Sequence, residues 1–324
     1  MAETSDIHLS VVVPFFNEEA NVRPLYEQLT ATLQPLGKSY ELVFVDDGST
    51  DGTFAALRAI QAADDRVVVI RFRRNFGQTP ALAAGFDHAR GQIIISMDGD
   101  LQHDPSEIPQ FLQGIEEGYD IVSGWRKERV DAFWTRRLPS RVANRIIAAL
   151  SGVKLHDFGT TYKAYRREVI KQVELFGELH RYIPALASAV GARIKEIPIK
   201  NVPRQQGKSK YNLTRVFNVL FDLMLVKFLI SYLSRPLKVF GVLGLLSFGG
   251  GFLISAALMA WWCACAPSGY NLARERGGLL LLSALLMLAG VQFVTMGITA
   301  EIAARTYHRT AQKPIYVIQE VLRA

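Results

Sequence analysis

Two stretches of this chain contain no charged residue: Val239 to Ala266 and Gly277 to Ala300. Nothing else in the sequence restricts the fold as strongly. As α-helices rising ~1.5 Å per residue they are roughly 36–42 Å long, enough to cross a hydrocarbon core of ~30 Å with some tilt. A buried helix of a water-soluble domain rarely runs so far without a charged residue. Residues 236–324 are therefore expected to form two transmembrane helices, about 239–266 and 277–300, and a cytoplasmic tail. Just before them, Leu213 to Leu233 is apolar but interrupted by Arg215, Asp222 and Lys227. Residues 212–235 are expected to lie in the membrane interface as amphipathic helix. Residues 1–211 alternate apolar and charged stretches, as a folded α/β domain does.

Orientation follows from lysine and arginine near the span ends. Between Asn201 and Lys238 stand Arg204, Lys208, Lys210, Arg215, Lys227, Arg235 and Lys238 against one acid, Asp222. The tail adds Arg305, Arg309, Lys313 and Arg323, while the loop between the spans has only Arg274, Glu275 and Arg276. This pattern predicts a multi-pass protein of the cytoplasmic (inner) membrane, with the first domain and both termini facing the cytoplasm. No signal-peptide pattern precedes the first apolar run, which agrees. The formal net charge is +7, and its basic surplus flanks the spans. Membrane lipids are thus the expected partners rather than nucleic acid. Cys263 and Cys265 are two residues apart on a helix and do not face each other, so no disulfide or metal site is expected from them. Gly249-Gly250-Gly251 permits close helix packing and is compatible with a homo-oligomer, without counting subunits.

The first domain has a regular rhythm. Leu9 to Pro14, Glu41 to Val45, Arg66 to Phe72, Gln92 to Met97 and Tyr119 to Ser123 read as strands. Glu19 to Leu36, Thr53 to Ala63, Ala81 to Ala89 and Pro105 to Glu117 read as helices, with Pro24 tolerated in the first turn of its helix. Strands of near-continuous apolar character alternating with helices predict a parallel sheet covered on both faces, with ligands beyond the carboxyl ends of its strands. Every polar cluster falls at such an end: Pro14 to Glu19, Asp46 to Thr53, Asn75 to Gln78, and Asp98-Gly99-Asp100. Asp98 and Asp100 are two like charges one residue apart, which resist ionising together unless a cation lies between them. A hard divalent ion, Mg²⁺ or Mn²⁺, suits carboxylate oxygens and keeps positions open for phosphate. Asp51 is expected to cap the helix near Thr53 rather than to react. Of the adjoining Asp46 and Asp47, one is expected to support a loop and the other to meet a ligand. There is no Walker lysine motif and no Gly-x-Gly-x-x-Gly loop, which disfavours a P-loop NTPase or a dinucleotide oxidoreductase.

In order and spacing these clusters resemble the inverting family-2 glycosyltransferases. Arg73-Arg74-Asn75-Phe76-Gly77-Gln78, Asp98-Gly99-Asp100-Leu101-Gln102-His103, and Gly207-Lys208-Ser209-Lys210-Tyr211 followed by two spans are similar to the polyprenyl-phosphate branch of that family. That branch includes dolichyl-phosphate mannosyltransferases and the bacterial undecaprenyl-phosphate glucosyl and aminoarabinosyl transferases. Asp157 to Arg167 and Lys313-Pro314-Ile315-Tyr316 most resemble the aminoarabinosyl type.

The resemblance implies an α/β GT-A (Rossmann-like) catalytic domain with interfacial helices and a two-helix transmembrane hairpin. It implies a nucleotide-sugar donor, a UDP-sugar in preference to a GDP-sugar, and a polyprenyl-phosphate acceptor. On it, Pro14, Asn17, Glu18, Asp46, Asp47 and Gln78 belong to the donor site, Asp47 being favoured for the base. Asp98 and Asp100 match the metal-binding Asp-x-Asp, Gln102 an extra ligand, and Asp157 the position of a catalytic base. Arg126, Arg137 and Ser140 would serve the acceptor phosphate, and Arg204, Lys208 and Lys210 would fold over the donor diphosphate. Two departures matter. No Gln-x-x-Arg-Trp motif occurs, which with only two spans disfavours a processive polysaccharide synthase. His180-Arg181-Tyr182-Ile183-Pro184 differs from other branches, so the sugar is left open.

The reaction so implied moves a sugar from a nucleoside diphosphate to a lipid phosphate with inversion, giving a lipid-linked monosaccharide. A phosphate monoester, with a second pKa near ~6, is already mostly dianionic at neutral pH. Asp157 is therefore open to two roles, base or acceptor-orienting group. Two rival readings are a transferase acting on another lipid such as diacylglycerol, and a non-catalytic scaffold that only binds nucleotide sugar.

Overall fold

A computed structural model describes residues 7–127, 148, 152–173, 175, 179–189, 191–200, 236–265, 272–310 and 315–323. The chain divides into two compact units, Met1–Ile230 with Pro314–Ala324, and Ser231–Lys313.

The first unit is built on an eight-stranded sheet. Its strands are β1 (Leu9–Phe15), β2 (Tyr40–Asp46), β3 (Val67–Phe72), β4 (Ile93–Ser96), β5 (Ile121–Arg126), β6 (Lys163–Arg166), β7 (Ile194–Ile199) and β8 (Ile318–Leu322), in the spatial order β7-β5-β6-β4-β1-β2-β3-β8. β1 to β4 are mutually parallel, so their carboxyl ends share one edge. Side chains alternate across the pleat: Val11, Val13 and Phe15 enter one core with Leu25, Leu29 and Phe44, while Val12 enters the other with Val43, Ile70 and Leu82. Helices α1 (Glu19–Leu33), α2 (Thr53–Gln61), α3 (Gln78–His88) and α4 (Ile108–Glu116) form the crossovers. α1 buries Val22, Leu25, Leu29 and Leu33, the stripe the sequence spacing predicts, and passes into a 3₁₀ turn at Gln34–Leu36.

The sheet is mixed rather than parallel throughout. β6 runs antiparallel between β4 and β5, and β8 runs antiparallel along β3. β6 is four residues with a buried lysine, too short and too polar to announce a strand. β8 alternates between half-buried and exposed residues at the sheet edge. Its arrival returns the chain to the first unit after both apolar stretches.

The second unit is a pair of long helices, Pro236–Cys265 and Leu272–Thr310, the latter broken at Arg276, so that its regular apolar part begins at Gly277. Phe240–Ala264 and Leu272–Ala300 are long and apolar enough to cross a membrane. The first carries Leu245, Leu246 and Leu253 at about 70% exposure and the second carries Leu281 at 61%, which suits hydrocarbon and not water. The two helices approach through small residues. A Cβ on Gly244 would lie 2.8 Å from the carbonyl of Gly290, and Ser255 Oγ donates to Ser283 Oγ at 3.0 Å. The interfacial helix expected at 212–235 lies outside the described residues.

Candidate active site at the ends of the parallel strands

The first cluster is set by an unusual backbone. Asn17 has φ +55°, a left-handed conformation that asparagine tolerates. The turn points its amide oxygen at the next strand end, where Oδ1 accepts from Thr50 N at 2.8 Å while Asn17 N donates to Ser49 Oγ at 3.0 Å. Glu18 N donates to Thr53 Oγ1 at 2.9 Å, and the Glu18 carboxylate accepts from the Asn21 side chain. Pro14 lies within β1 beside Val45. The ends of β1 and β2 are thereby stitched into one ledge.

Asp46 and Asp47 are both buried at the end of β2. Both support loops, where the sequence reading assigned that duty to one. Asp46 Oδ1 accepts from Ser49 N at 3.0 Å. Asp47 accepts with both oxygens, from Phe76 N at 2.7 Å and Gly77 N at 2.9 Å, which ties the loop after β3 to β2. Burial pushes the Asp47 carboxyl up to about 6 despite these two donors. Asp51 holds the start of α2, accepting from Thr53 N at 3.0 Å and Thr53 Oγ1 at 2.6 Å. The capping position itself is Gly52, one residue later than expected.

The third and fourth clusters meet directly. Gln78, the first residue of α3, donates from Nε2 to Asp98 Oδ1 at 2.6 Å. Asp98 N donates to His103 Nδ1 at 3.3 Å, which requires a neutral imidazole with its proton on Nε2. Burial lowers the His103 pKa to about 4 and so favours that form. Asp100 Oδ1 accepts from Gln102 N at 3.2 Å. Between them Leu101 has φ +59°. A left-handed leucine costs about 1–2 kcal/mol, and the surrounding contacts must sustain it. Gly99 is needed for close approach rather than for a left-handed turn: a Cβ there would sit 2.7 Å from the Phe15 ring and 3.0 Å from Pro14 O. The Asp-Gly-Asp turn therefore rests on the end of β1. Among the described residues no three His, Cys, Asp or Glu side chains converge as a self-sufficient metal cage. The oxygen donors on offer are the two carboxylates and the Gln102 amide, a hard set suited to a divalent ion that takes its remaining ligands from phosphate and water.

Across the sheet, β5 ends in Arg126, whose guanidinium grips Asp157 with two bonds: Nε to Oδ2 at 2.8 Å and Nη2 to Oδ1 at 3.1 Å. Asp157 is 3% exposed and its Oδ1 also accepts from Gly159 N at 3.1 Å. Its loop is fastened from two sides. Glu196, on β7, accepts from the amides of His156 and Asp157 at 2.8 and 3.0 Å. Lys163, fully buried on β6, donates to the carbonyls of Phe158 and Thr160. Burial brings the Lys163 ammonium down to about 7. Gln78 Nε2 also reaches Thr161 Oγ1 at 3.3 Å, linking this loop to Asp98.

The structure thus brings Pro14, Asn17, Glu18, Asp46, Asp47, Gln78, Asp98, Asp100, Gln102, Arg126 and Asp157 to neighbouring strand ends. Arg137, Ser140, Arg204, Lys208 and Lys210 lie outside the described residues. Sequence reasoning did not single out Glu196, Lys163 or His103. Glu196 sits in a segment with no motif, while Lys163 and His103 fall inside the quoted stretches Asp157–Arg167 and Asp98–His103, where nothing in the letters assigns them a role until Lys163 is seen on the Asp157 loop and the His103 imidazole beneath Asp98.

Comparison with known proteins gives the family and the fold. Residues 10–174 match "Glycosyl transferase family 2". The chain is 41% identical over 319 residues to the dodecaprenyl-phosphate galacturonate synthase of Rhizobium johnstonii, covering 97% of this chain and 93% of that protein. It is 37% identical over 318 residues to the undecaprenyl-phosphate 4-deoxy-4-formamido-L-arabinose transferase of Edwardsiella ictaluri, covering 98% and 94%. Among solved structures it is similar to the glucosyl-3-phosphoglycerate synthase of Mycobacterium tuberculosis crystallised with Mn²⁺, UDP and phosphoglyceric acid. That likeness has a TM-score of 0.52 at 20% identity, over 70% of this chain and 79% of that one, and shows a shared GT-A fold. By the extent of the family match and by these relatives, the chain belongs to glycosyl transferase family 2.

Proposed function

We propose that this glycosyltransferase moves a sugar from a nucleotide donor, a UDP-sugar in preference to a GDP-sugar, onto the phosphate of a polyprenol, undecaprenyl phosphate above all. The observation that carries the reading is the Arg126–Asp157 pair, on the same sheet edge as Asp98 and Asp100. Guanidinium offers paired donors to a phosphate, and Arg126 is held in place for that task by a carboxylate that also accepts from Gly159 N and whose backbone amide donates to Glu196. The two relatives, named for transfer to dodecaprenyl phosphate and undecaprenyl phosphate, support the same acceptor class. UDP with Mn²⁺ or Mg²⁺ in structures of the same fold supports the donor and the ion.

Asp98, Asp100 and Gln102 would hold a divalent cation, and that ion would neutralise charge developing on the leaving diphosphate. Gln78 holds the Asp98 carboxylate and His103 its backbone amide, so the carboxylate is aligned before substrate arrives. The Asn17–Ser49–Thr50 ledge and the Asp46 and Asp47 loops form the nucleoside cradle. The acceptor is a phosphate dianion already at neutral pH, so no strong base is required. Asp157, spending both oxygens on Arg126 and Gly159, is the group that positions Arg126, and inversion results from one in-line displacement. Arg137, Ser140, Arg204, Lys208 and Lys210 remain part of this proposal as contacts to the acceptor phosphate and donor diphosphate.

We place the catalytic unit and both termini at the cytoplasmic face of the inner membrane, with the two long helices spanning it. The basic flanks of the spans support this orientation. β8 supports a shared side for both ends of the helix pair: a strand that follows both helices pairs with β3, which precedes them, and two crossings return the chain to the side it left. The test is transfer of radiolabel from a panel of nucleotide sugars to undecaprenyl phosphate, with Mg²⁺ and with EDTA. A single donor giving an EDTA-sensitive labelled lipid is the expected result. No label from any donor would overturn the proposal.

A further inference from the structure

Three neighbouring strands carry a row of alternating charge at the donor edge. Asp46 ends β2, Arg71 is its register partner on β3, and Glu320 is the partner of Arg71 on β8. Arg71 Nη1 donates to Glu320 Oε1 at 3.3 Å, Arg71 Nε lies 3.7 Å from Asp46 Oδ2, and the guanidinium rests over the Phe54 ring, 4.0 Å from its centre. Asp46 is completely buried and its Oδ2 has no hydrogen-bond partner. A buried carboxylate so placed depends on its nearest cation. Its other oxygen holds Ser49 N, and Ser49 Oγ in turn accepts the Asn17 amide. The row thus leads from the last strand of the chain into the proposed nucleoside cradle.

β8 is docked firmly enough to transmit this. The Tyr316 ring stacks on Phe72 with centres 5.2 Å apart, and its hydroxyl donates to Asp87 Oδ2 at 2.7 Å. Beyond the strand, Arg323 Nη2 donates to His88 O at 3.0 Å.

We propose that Glu320 is a positioning residue for the donor site. By holding Arg71 against Asp46 it sets the Ser49–Asn17 ledge, and the nucleotide site is complete only when the segment beyond the long helices has docked on β3. This rests on the reading of that ledge as the nucleoside cradle. Carboxylate loss at Glu320 loosens a row that is only partly shielded from water, so the effect is graded.

The experiment uses the full chain in detergent or nanodiscs. Binding of UDP, GDP, CDP and ADP with Mg²⁺ is measured by calorimetry, and transfer kinetics follow with the donor that reacts. With the nucleotide that wild type binds best, Glu320→Ala is expected to raise Kd about three- to fivefold. KM for the donor rises by the same factor, while kcat and the acceptor KM stay within about twofold. Glu320→Asp restores most of the loss, and Gln319→Ala, an exposed neighbour on the same strand, behaves as wild type. Wild-type donor affinity in Glu320→Ala would overturn the proposal. So would a joint fall of Tm, kcat and both affinities, which would mean that β8 merely packs. Failure of wild type to bind any of the four nucleotides would instead overturn the donor-site reading and this inference with it.

Discussion

Arg126 and Asp157 lie 31 residues apart in the chain and meet through two parallel bonds of 2.8 and 3.1 Å, with Asp157 almost wholly buried. A carboxylate in that arrangement is a poor proton acceptor, because protonation would give up a charge-assisted fork. It is a good anchor for a cation that must face a second anion.

The pair separates two roles for Asp157. A general base contributes about 10²–10⁴ to kcat. As an anchor, Asp157→Asn should instead raise the acceptor KM about tenfold, the scale of one charge-assisted bond, with a smaller change in kcat and no new limb in its pH profile. Steady-state kinetics with varied lipid phosphate checks this. A loss in kcat alone, of a hundredfold or more, would return Asp157 to the role of base.

Asp100→Asn should reduce transfer about a hundredfold or more, the size of a lost electrostatic contact in the transition state. Circular dichroism and Tm should stay near wild type, because the bond from Gln102 N to Asp100 is local to its own turn. Calorimetric titration with Mn²⁺ in the presence of UDP should show the affinity lost as well.

Gly99→Ala should damage activity without touching any reacting group. Its new methyl would press on the Phe15 ring at 2.7 Å and on Pro14 O at 3.0 Å, so the turn bearing Asp98 and Asp100 must shift. A loss of about 1–3 kcal/mol in stability is expected from such overpacking. Denaturant titration and transfer assays on the same preparation check both parts.

Lys163 gives a pH signature. Its folded pKa is about 7, against 10.5 in the unfolded chain, because burial disfavours the ammonium. Between these values the unfolded state binds more protons, so unfolding free energy rises with pH. The contribution is fully present above the unfolded value and is lost as pH falls through about 7. Tm of wild type relative to Lys163→Met should therefore climb from pH 7 to pH 9.5. A flat difference would contradict the depressed value.

Much of the fold was legible because burial leaves a periodic trace. The apolar runs of β1 to β4 and the Val22–Leu25–Leu29–Leu33 stripe of α1 are read directly, and the polar clusters mark the strand ends. β6 and β8 were not legible. A four-residue strand with a buried lysine has no period to detect, and a half-exposed edge strand after two apolar helices looks like a tail. In the candidate site, side chains that act by touching another residue escaped: Glu196 matters only because β7 passes beneath the Asp157 loop. Leu101 escaped too, since its left-handed backbone is invisible in the letters Asp-Leu-Gln.

In the proposed reaction the nucleophile is a lipid phosphate held by Arg126. One assay decides this: undecaprenyl phosphate, undecaprenol and diacylglycerol compete for label from the active donor, in wild type and in Arg126→Lys. Label on undecaprenyl phosphate alone, with the acceptor KM raised in Arg126→Lys, is the predicted result. Label on undecaprenol or diacylglycerol, or an acceptor KM indifferent to Arg126, would contradict it.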